Sequence, residues 1–107
     1  MQISVSGRHQ HVPDSLQGYA TDKVGKLQRF YDRIQSIEVV FDLEGGRPAV
    51  ELIVSVEHSQ PFVTRWVESD PQTALDRAVR HMEEQLRRHK ERLRNRKHPE
   101  PGPPPSE

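Results

Sequence analysis

The chain has 107 residues, with 16 Lys and Arg against 16 Asp and Glu, 32% hydrophobic residues and no cysteine. That length suits one small domain with a single core, and the missing cysteine excludes disulfides and thiolate metal sites outright. No apolar run has the length of a signal h-region or a membrane span, so a soluble, cytoplasmic protein with no membrane partner is expected.

In chain order, Gln2 to Arg8 alternates Ile3 and Val5 with Ser4 and Ser6, which is strand period, and Gly7 marks a bend or close backbone approach. Pro13 and Asp14 then supply a fixed φ and an anionic capping group for a helix start. Leu16, Ala20, Val24, Leu27, Phe30, Tyr31 and Ile34 recur at three and four, predicting one apolar helical stripe through Ile34. Ile37 to Leu43 reads as a strand with Ile37, Val39, Phe41 and Leu43 on one face. Gly45-Gly46 is a hairpin signal, because paired glycines supply positive φ. Val50, Leu52, Val54 and Val56 alternate with Glu51, Ile53, Ser55 and Glu57 and are predicted to point inward. Phe62 to Glu68 is a last strand in which Phe62, Thr64 and Trp66 oppose Val63, Arg65 and Val67, and the mixed faces leave its buried side open. Ser69-Asp70-Pro71 opens a second helix with a capping side chain before proline. Its apolar stripe is Ala74, Leu75, Ala78, Val79, Met82, Leu86 and Leu93.

The order β-α-β-β-β-α predicts an α+β two-layer sandwich, with a four-stranded mixed sheet carrying both helices on one face. The other face is left wetter, as Glu51, Ser55 and Glu57 suggest. A domain over residues 1–96 and a proline-rich, disordered tail over 97–107 follow from composition.

Zero net charge hides a dipole. Between Arg77 and His98 lie nine Lys and Arg against three Glu, a surplus of six that the rest of the chain balances with a deficit of six. On a helical wheel Arg80, Arg87 and Arg94 fall nearly opposite the apolar stripe, flanked by Arg77, Arg88 and Lys90. The acids read as segregated from this face: Glu83 and Glu84 could pair with Arg80, Arg87 and Arg88, but Glu91 is alone among later cations. A polyanion is the indicated partner, and nucleic acid is the default polyanion. Six histidines include His9 and His11 on one strand face and His81 and His89 on the rim of the second helix's stripe. No ligand spacing accompanies them, so no metal site or cofactor is expected and surface or RNA-facing histidine is the reading. No catalytic constellation or small-molecule site is visible either, and a non-enzymatic protein is expected. Trp66 and the aromatics of the first helix read as core.

Taken together, Met1-Gln2-Ile3, Gly7-Arg8-His9, then Leu16, Tyr19, Lys23, Lys26, Leu27 and Phe30-Tyr31-Asp32-Arg33-Ile34, then Gln85-Leu86, His89-Lys90 and Leu93 resemble the ribosome hibernation promoting factors. That family of ribosome-associated inhibitors was once called sigma-54 modulation proteins, and the resemblance runs from Met1 to about Arg94. It implies this same fold and docking in the cleft of the small ribosomal subunit, on 16S rRNA, across the path of mRNA and the A- and P-site tRNAs. Carried residue by residue, it implies rRNA contacts from Lys23, Lys26, Arg88, His89, Lys90 and Arg92. Arg87 and Arg94 fall where the family tends to be polar or basic, and Arg80 joins them from the helical wheel. The resemblance is to the short form, acting in stationary phase and stress, and a monomer is expected in the free state. Glu84 and His81 depart from the family's usual arginine and lysine. Two rivals remain. A protein-interaction module would use the basic helix and proline-rich tail without RNA. A double-stranded RNA-binding domain fits less well, since its lysine cluster belongs at the start of the second helix, here Asp70-Pro71-Gln72-Thr73.

Overall fold

Period-two alternation is realised in four strands that pair in chain order: β1 (Gln2–Gly7), β2 (Ile34–Glu44), β3 (Arg47–Val56) and β4 (Phe62–Val67). The computed structural model describes the backbone of residues 1–97 and the side chains of residues 1–94. β1 is parallel to β2, and the other two pairings are antiparallel. The register sets Ile3 beside Ile37, Val39 beside Leu52, Phe41 beside Val50, and then Val50, Leu52 and Val54 beside Trp66, Thr64 and Phe62. One sheet face is thereby apolar from edge to edge, and the buried side of the last strand is the one bearing Phe62, Thr64 and Trp66.

Two helices cover that face. α1 (Asp14–Gly25) lies against β1, and α2 (Pro71–Lys97) lies across β3 and β4 and touches α1. The β-α-β-β-β-α two-layer sandwich expected from the sequence is the observed fold. Leu27, Phe41, Leu52, Leu75, Met82 and Leu86 are among the fully buried side chains that join the layers. The proline-rich tail from His98 onward lies outside the described residues.

The two glycine-bearing turns work as their chemistry requires. Gly45 and Gly46 have φ of 59° and 80°, the paired positive values of a tight two-residue hairpin. At Gly7 an added Cβ would collide with the carbonyl oxygen of Gln10 and come within 2.9 Å of Val12 Cγ2, so the chain can fold back there only without a side chain. His9, just beyond, takes φ 61° in a bend, and His9 and His11 therefore do not share a strand face.

α1 departs from its predicted extent. It ends at Gly25, passes into a 3-10 turn over Lys26–Arg29, and Ile34 already belongs to β2. Leu27, Tyr31 and Ile34 are still buried, but from three different backbone conformations. Spacing of three and four is satisfied by any segment that keeps returning to the core. At the other end Pro13 is the capping residue and no side-chain cap forms, so Asp14 contributes its charge to the first turn without capping it. α2 opens as predicted: the Asp70 carboxylate accepts hydrogen bonds from the Thr73 backbone N–H and hydroxyl, both at 2.8 Å. Those bonds hold the Asp70 carboxyl below the usual carboxylate range.

Candidate nucleic-acid interface

α2 sorts its residues by angle. Ala74, Leu75, Ala78, Val79, Met82 and Leu86 are buried against the sheet, while Arg77, Arg80, Arg87, Arg88, Lys90, Arg92 and Arg94 are all exposed. A helix of 27 residues is about 40 Å long, so these cations form a rail along the solvent side of the molecule. Among the described residues no carboxylate lies within ion-pair distance of Arg80, Lys90, Arg92 or Arg94. Their charge is available to a partner.

Arg87 and Arg88 are different: the pairing with Glu84 that the sequence allowed is present, and the reading of Glu91 as alone is corrected. Glu84 pairs with Arg87 and sits 4.0 Å from Arg88, and Glu91 is 3.6 Å from Arg87 rather than alone. These are i,i+3 and i,i+4 pairs on a helix surface. Arg87 and Arg88 are 52% and 65% exposed, a setting in which such pairs contribute only about 0–1 kcal/mol. A phosphate can displace Glu84 or Glu91 at small cost, so Arg87 and Arg88 remain usable but are partly neutralised at rest.

Of the other two predicted cations, Lys23 on α1 reaches α2, and Lys26 follows in the 3-10 turn. The Tyr19 hydroxyl donates to Asp76 at 2.6 Å, and the Lys23 ammonium lies 3.5 Å from the same carboxylate and 6.0 Å from the Tyr19 ring centroid. The bond to Asp76, aided by partial burial, raises the Tyr19 phenol above its ordinary value. Sequence reading singled out Lys23 but not Asp76, whose role is visible only once the helices are packed. Lys26 is exposed at the start of the 3-10 turn, with no carboxylate within ion-pair distance among the described residues.

His89 is not on the rail. It is 9% exposed, and its ring meets Tyr31 and Phe62 in T-shaped contacts with centroids 5.3 and 5.2 Å apart. The expectation of a surface or RNA-facing histidine is thus corrected: an imidazole on the rim of the stripe is enclosed by aromatics from the β1–β2 crossover and from β4. His89 is thus part of the packing of α2, one residue before the exposed Lys90.

The open face of the sheet holds a network that sequence reading missed. Arg8 reaches Asp42 at 2.9 Å and Glu51 at 3.4 Å, and Arg65 reaches Asp42 at 3.1 Å, Glu44 at 3.0 Å and Glu51 at 3.7 Å. Only the strand register, which sets Glu51 directly opposite Arg65, reveals it. The Leu43 backbone N–H, then Arg65 and Arg8, hold the Asp42 carboxyl below its usual range, and Glu44 and Asp42 raise the Arg65 guanidinium. Both arginines are matched by carboxylates. This face offers no surplus for an anion, which leaves the solvent side of α2 as the cationic surface.

Comparison with known proteins places the chain in a family and a fold. The family model of the Sigma 54 modulation protein / S30EA ribosomal protein matches residues 3–94. The chain belongs to that family. The ribosome hibernation promoting factor of Azotobacter vinelandii is 30% identical over 92 residues, covering 86% of this chain and 85% of the relative. The Escherichia coli K12 factor of the same description is 24% identical over 94 residues, 88% of this chain and 98% of its own length. Among solved structures, the N-terminal domain of Thermus thermophilus Protein Y superposes with TM-score 0.73 at 27% identity, covering 83% of this chain and 99% of that domain. A ribosomal subunit interface protein from Coxiella burnetii, at 21% identity and TM-score 0.77, shares the fold over 84% of this chain and 98% of its own. In this member of the S30EA family, Glu84 stands inside the cationic rail and neutralises part of it. Among the described residues no three His, Asp or Glu gather as a metal site, and no helix is long and apolar enough to cross a membrane.

Proposed function

We propose that this chain is a ribosome hibernation factor that binds the small-subunit cleft through 16S rRNA and blocks the mRNA and tRNA sites. The observation that carries the reading is the solvent side of α2. There Arg80, Lys90, Arg92 and Arg94 stand exposed without carboxylate partners among the described residues, on a helix whose opposite side is locked into the core. Arg87 and Arg88 join them after releasing weak helical pairs, and Lys23 and Lys26 extend the cationic surface onto α1 and the turn that follows it. Rigid arginine forks suit phosphate oxygens and the planes of unpaired bases, the groups that a folded rRNA cleft presents. Family membership supports ribosome association, and the hibernation factor description of the relatives supports silencing as its consequence. Binding is through phosphate and shape, with base reading confined to special positions.

Co-sedimentation with isolated small and large subunits, with and without R87A/R88A/K90A/R92A, tests this. Binding to the small subunit, lost in a variant whose circular dichroism is unchanged, is the expected result. A folded variant that still binds and still inhibits translation in vitro would refute the assignment of α2.

A further inference from the structure

On the flank of α2 facing away from α1, an open pocket of 290 Å³ lies between the helix and the edge strand β4, lined by Trp66, Arg77, Arg80, His81 and Glu84. We propose that this pocket receives a single unstacked RNA base with its phosphate, and that it favours bases carrying an exocyclic amine. The proposal deepens the RNA reading above and rests on it.

Four features of the cluster carry it. Trp66 is only partly buried, and His81 meets its ring in a T-shaped contact at 6.0 Å and 64°, so two aromatic rings form adjoining walls. Aromatic walls are the usual platform for an unstacked base. Arg77 and Arg80, on the same rim, have no carboxylate within ion-pair distance among the described residues, which leaves two guanidinium groups for the attached phosphate. The volume lies near the lower bound of small-ligand pockets, about 300 Å³, and suits one planar base rather than a stack. Finally, Glu84 meets Arg87 and Arg88 through Oε2, and no hydrogen bond to its Oε1 is made among the described residues. A carboxylate oxygen accepts from the amine of cytosine and opposes the carbonyl of uracil at the same position. The departure that weakens the phosphate rail thereby supplies a means of discrimination.

Trp66 is the single tryptophan of the chain, so its fluorescence reports this pocket alone. The test titrates the full chain with fluorescein-labelled octamers of cytidine and of uridine, reading Trp66 emission and label anisotropy together. Small-subunit co-sedimentation is measured in parallel. Saturable quenching by the cytidine octamer is expected, with the uridine octamer needing about tenfold higher concentration. E84Q should narrow that gap, because an amide can both donate and accept, and R77Q/R80Q should weaken both octamers. Octamers that bind by anisotropy while Trp66 emission stays unmoved would overturn the pocket, and equal quenching by both would overturn the amine preference. Failure of both octamers to bind, with small-subunit binding intact, also overturns the pocket but leaves the ribosome reading standing. Absence of small-subunit binding overturns that reading itself.

Discussion

Replacing Tyr19 with phenylalanine removes one hydroxyl and tests whether the two helices are joined as described. That hydroxyl donates to Asp76 at 2.6 Å, and Asp76 also holds Lys23 at 3.5 Å, so a single carboxylate ties α1 to α2 twice. Hydrogen bonds to charged groups contribute about 1.5–3 kcal/mol, and the 42% exposure of Asp76 puts this one at the low end because water competes for it. The expected loss is therefore about 1.5 kcal/mol, a fall in Tm of about 6 °C or more for a domain of this size. D76A should cost about 2 kcal/mol, since it also releases Lys23 from an exposed pair contributing under about 1 kcal/mol. Adding Y19F to D76A should then change nothing further, leaving a coupling energy of about 1.5 kcal/mol in the double-mutant cycle. Because the raised Tyr19 pKa belongs to the folded state, this stability is full below the unfolded value of about 10. It fades as pH rises through the folded value, and wild type and Y19F converge there. Urea unfolding of the four proteins at pH 7 and pH 11 measures all of this. Additive single-mutant effects, or a difference between wild type and Y19F that persists unchanged at pH 11, would refute the tether.

Three further outcomes are expected from the fold. G7A forces a Cβ against the Gln10 carbonyl and Val12, and should destabilise by about 1–3 kcal/mol in thermal unfolding. L86A empties a fully buried position between α2 and the sheet, and should cost about 2–5 kcal/mol by urea unfolding. D42N should be less stable than wild type at neutral pH, because the folded state lowers the Asp42 pKa. The stability so gained is present above about 3.9 and is lost as pH falls below it, so the two proteins should converge in acid.

Much of the fold was legible because each element carries its own period. The serine alternation of β1, the glycine pair after Glu44 and the Asp70-Pro71 start of α2 are local signals, and local geometry obeys them. The end of α1 was not legible, since Leu27, Tyr31 and Ile34 keep helical spacing while leaving the helix. The cationic side of α2 was readable on a wheel, as was the pairing of Glu84 with Arg87 and Arg88, but the Glu91–Arg87 pair and the burial of His89 were not. The first depends on which side-chain rotamers meet, and the second on Tyr31 and Phe62 arriving from distant parts of the chain. Likewise Arg8, Asp42, Glu51 and Arg65 become neighbours only through sheet register, and Asp76 becomes a tether only when α1 lies beside it.

The measurement that bears most directly on the central claim is the salt dependence of small-subunit binding. Five residues of the proposed surface, Lys26, Arg80, Lys90, Arg92 and Arg94, have no carboxylate to leave behind among the described residues. If each meets one phosphate, these five alone give log K a slope of about −3.5 to −4.5 against log salt, Arg87 and Arg88 steepen it, and K90A/R92A should flatten it by about 1.5. A steep line for wild type and a shallower one for the variant is the predicted result. A flat wild-type line, or two lines of equal slope, would contradict an RNA-binding α2.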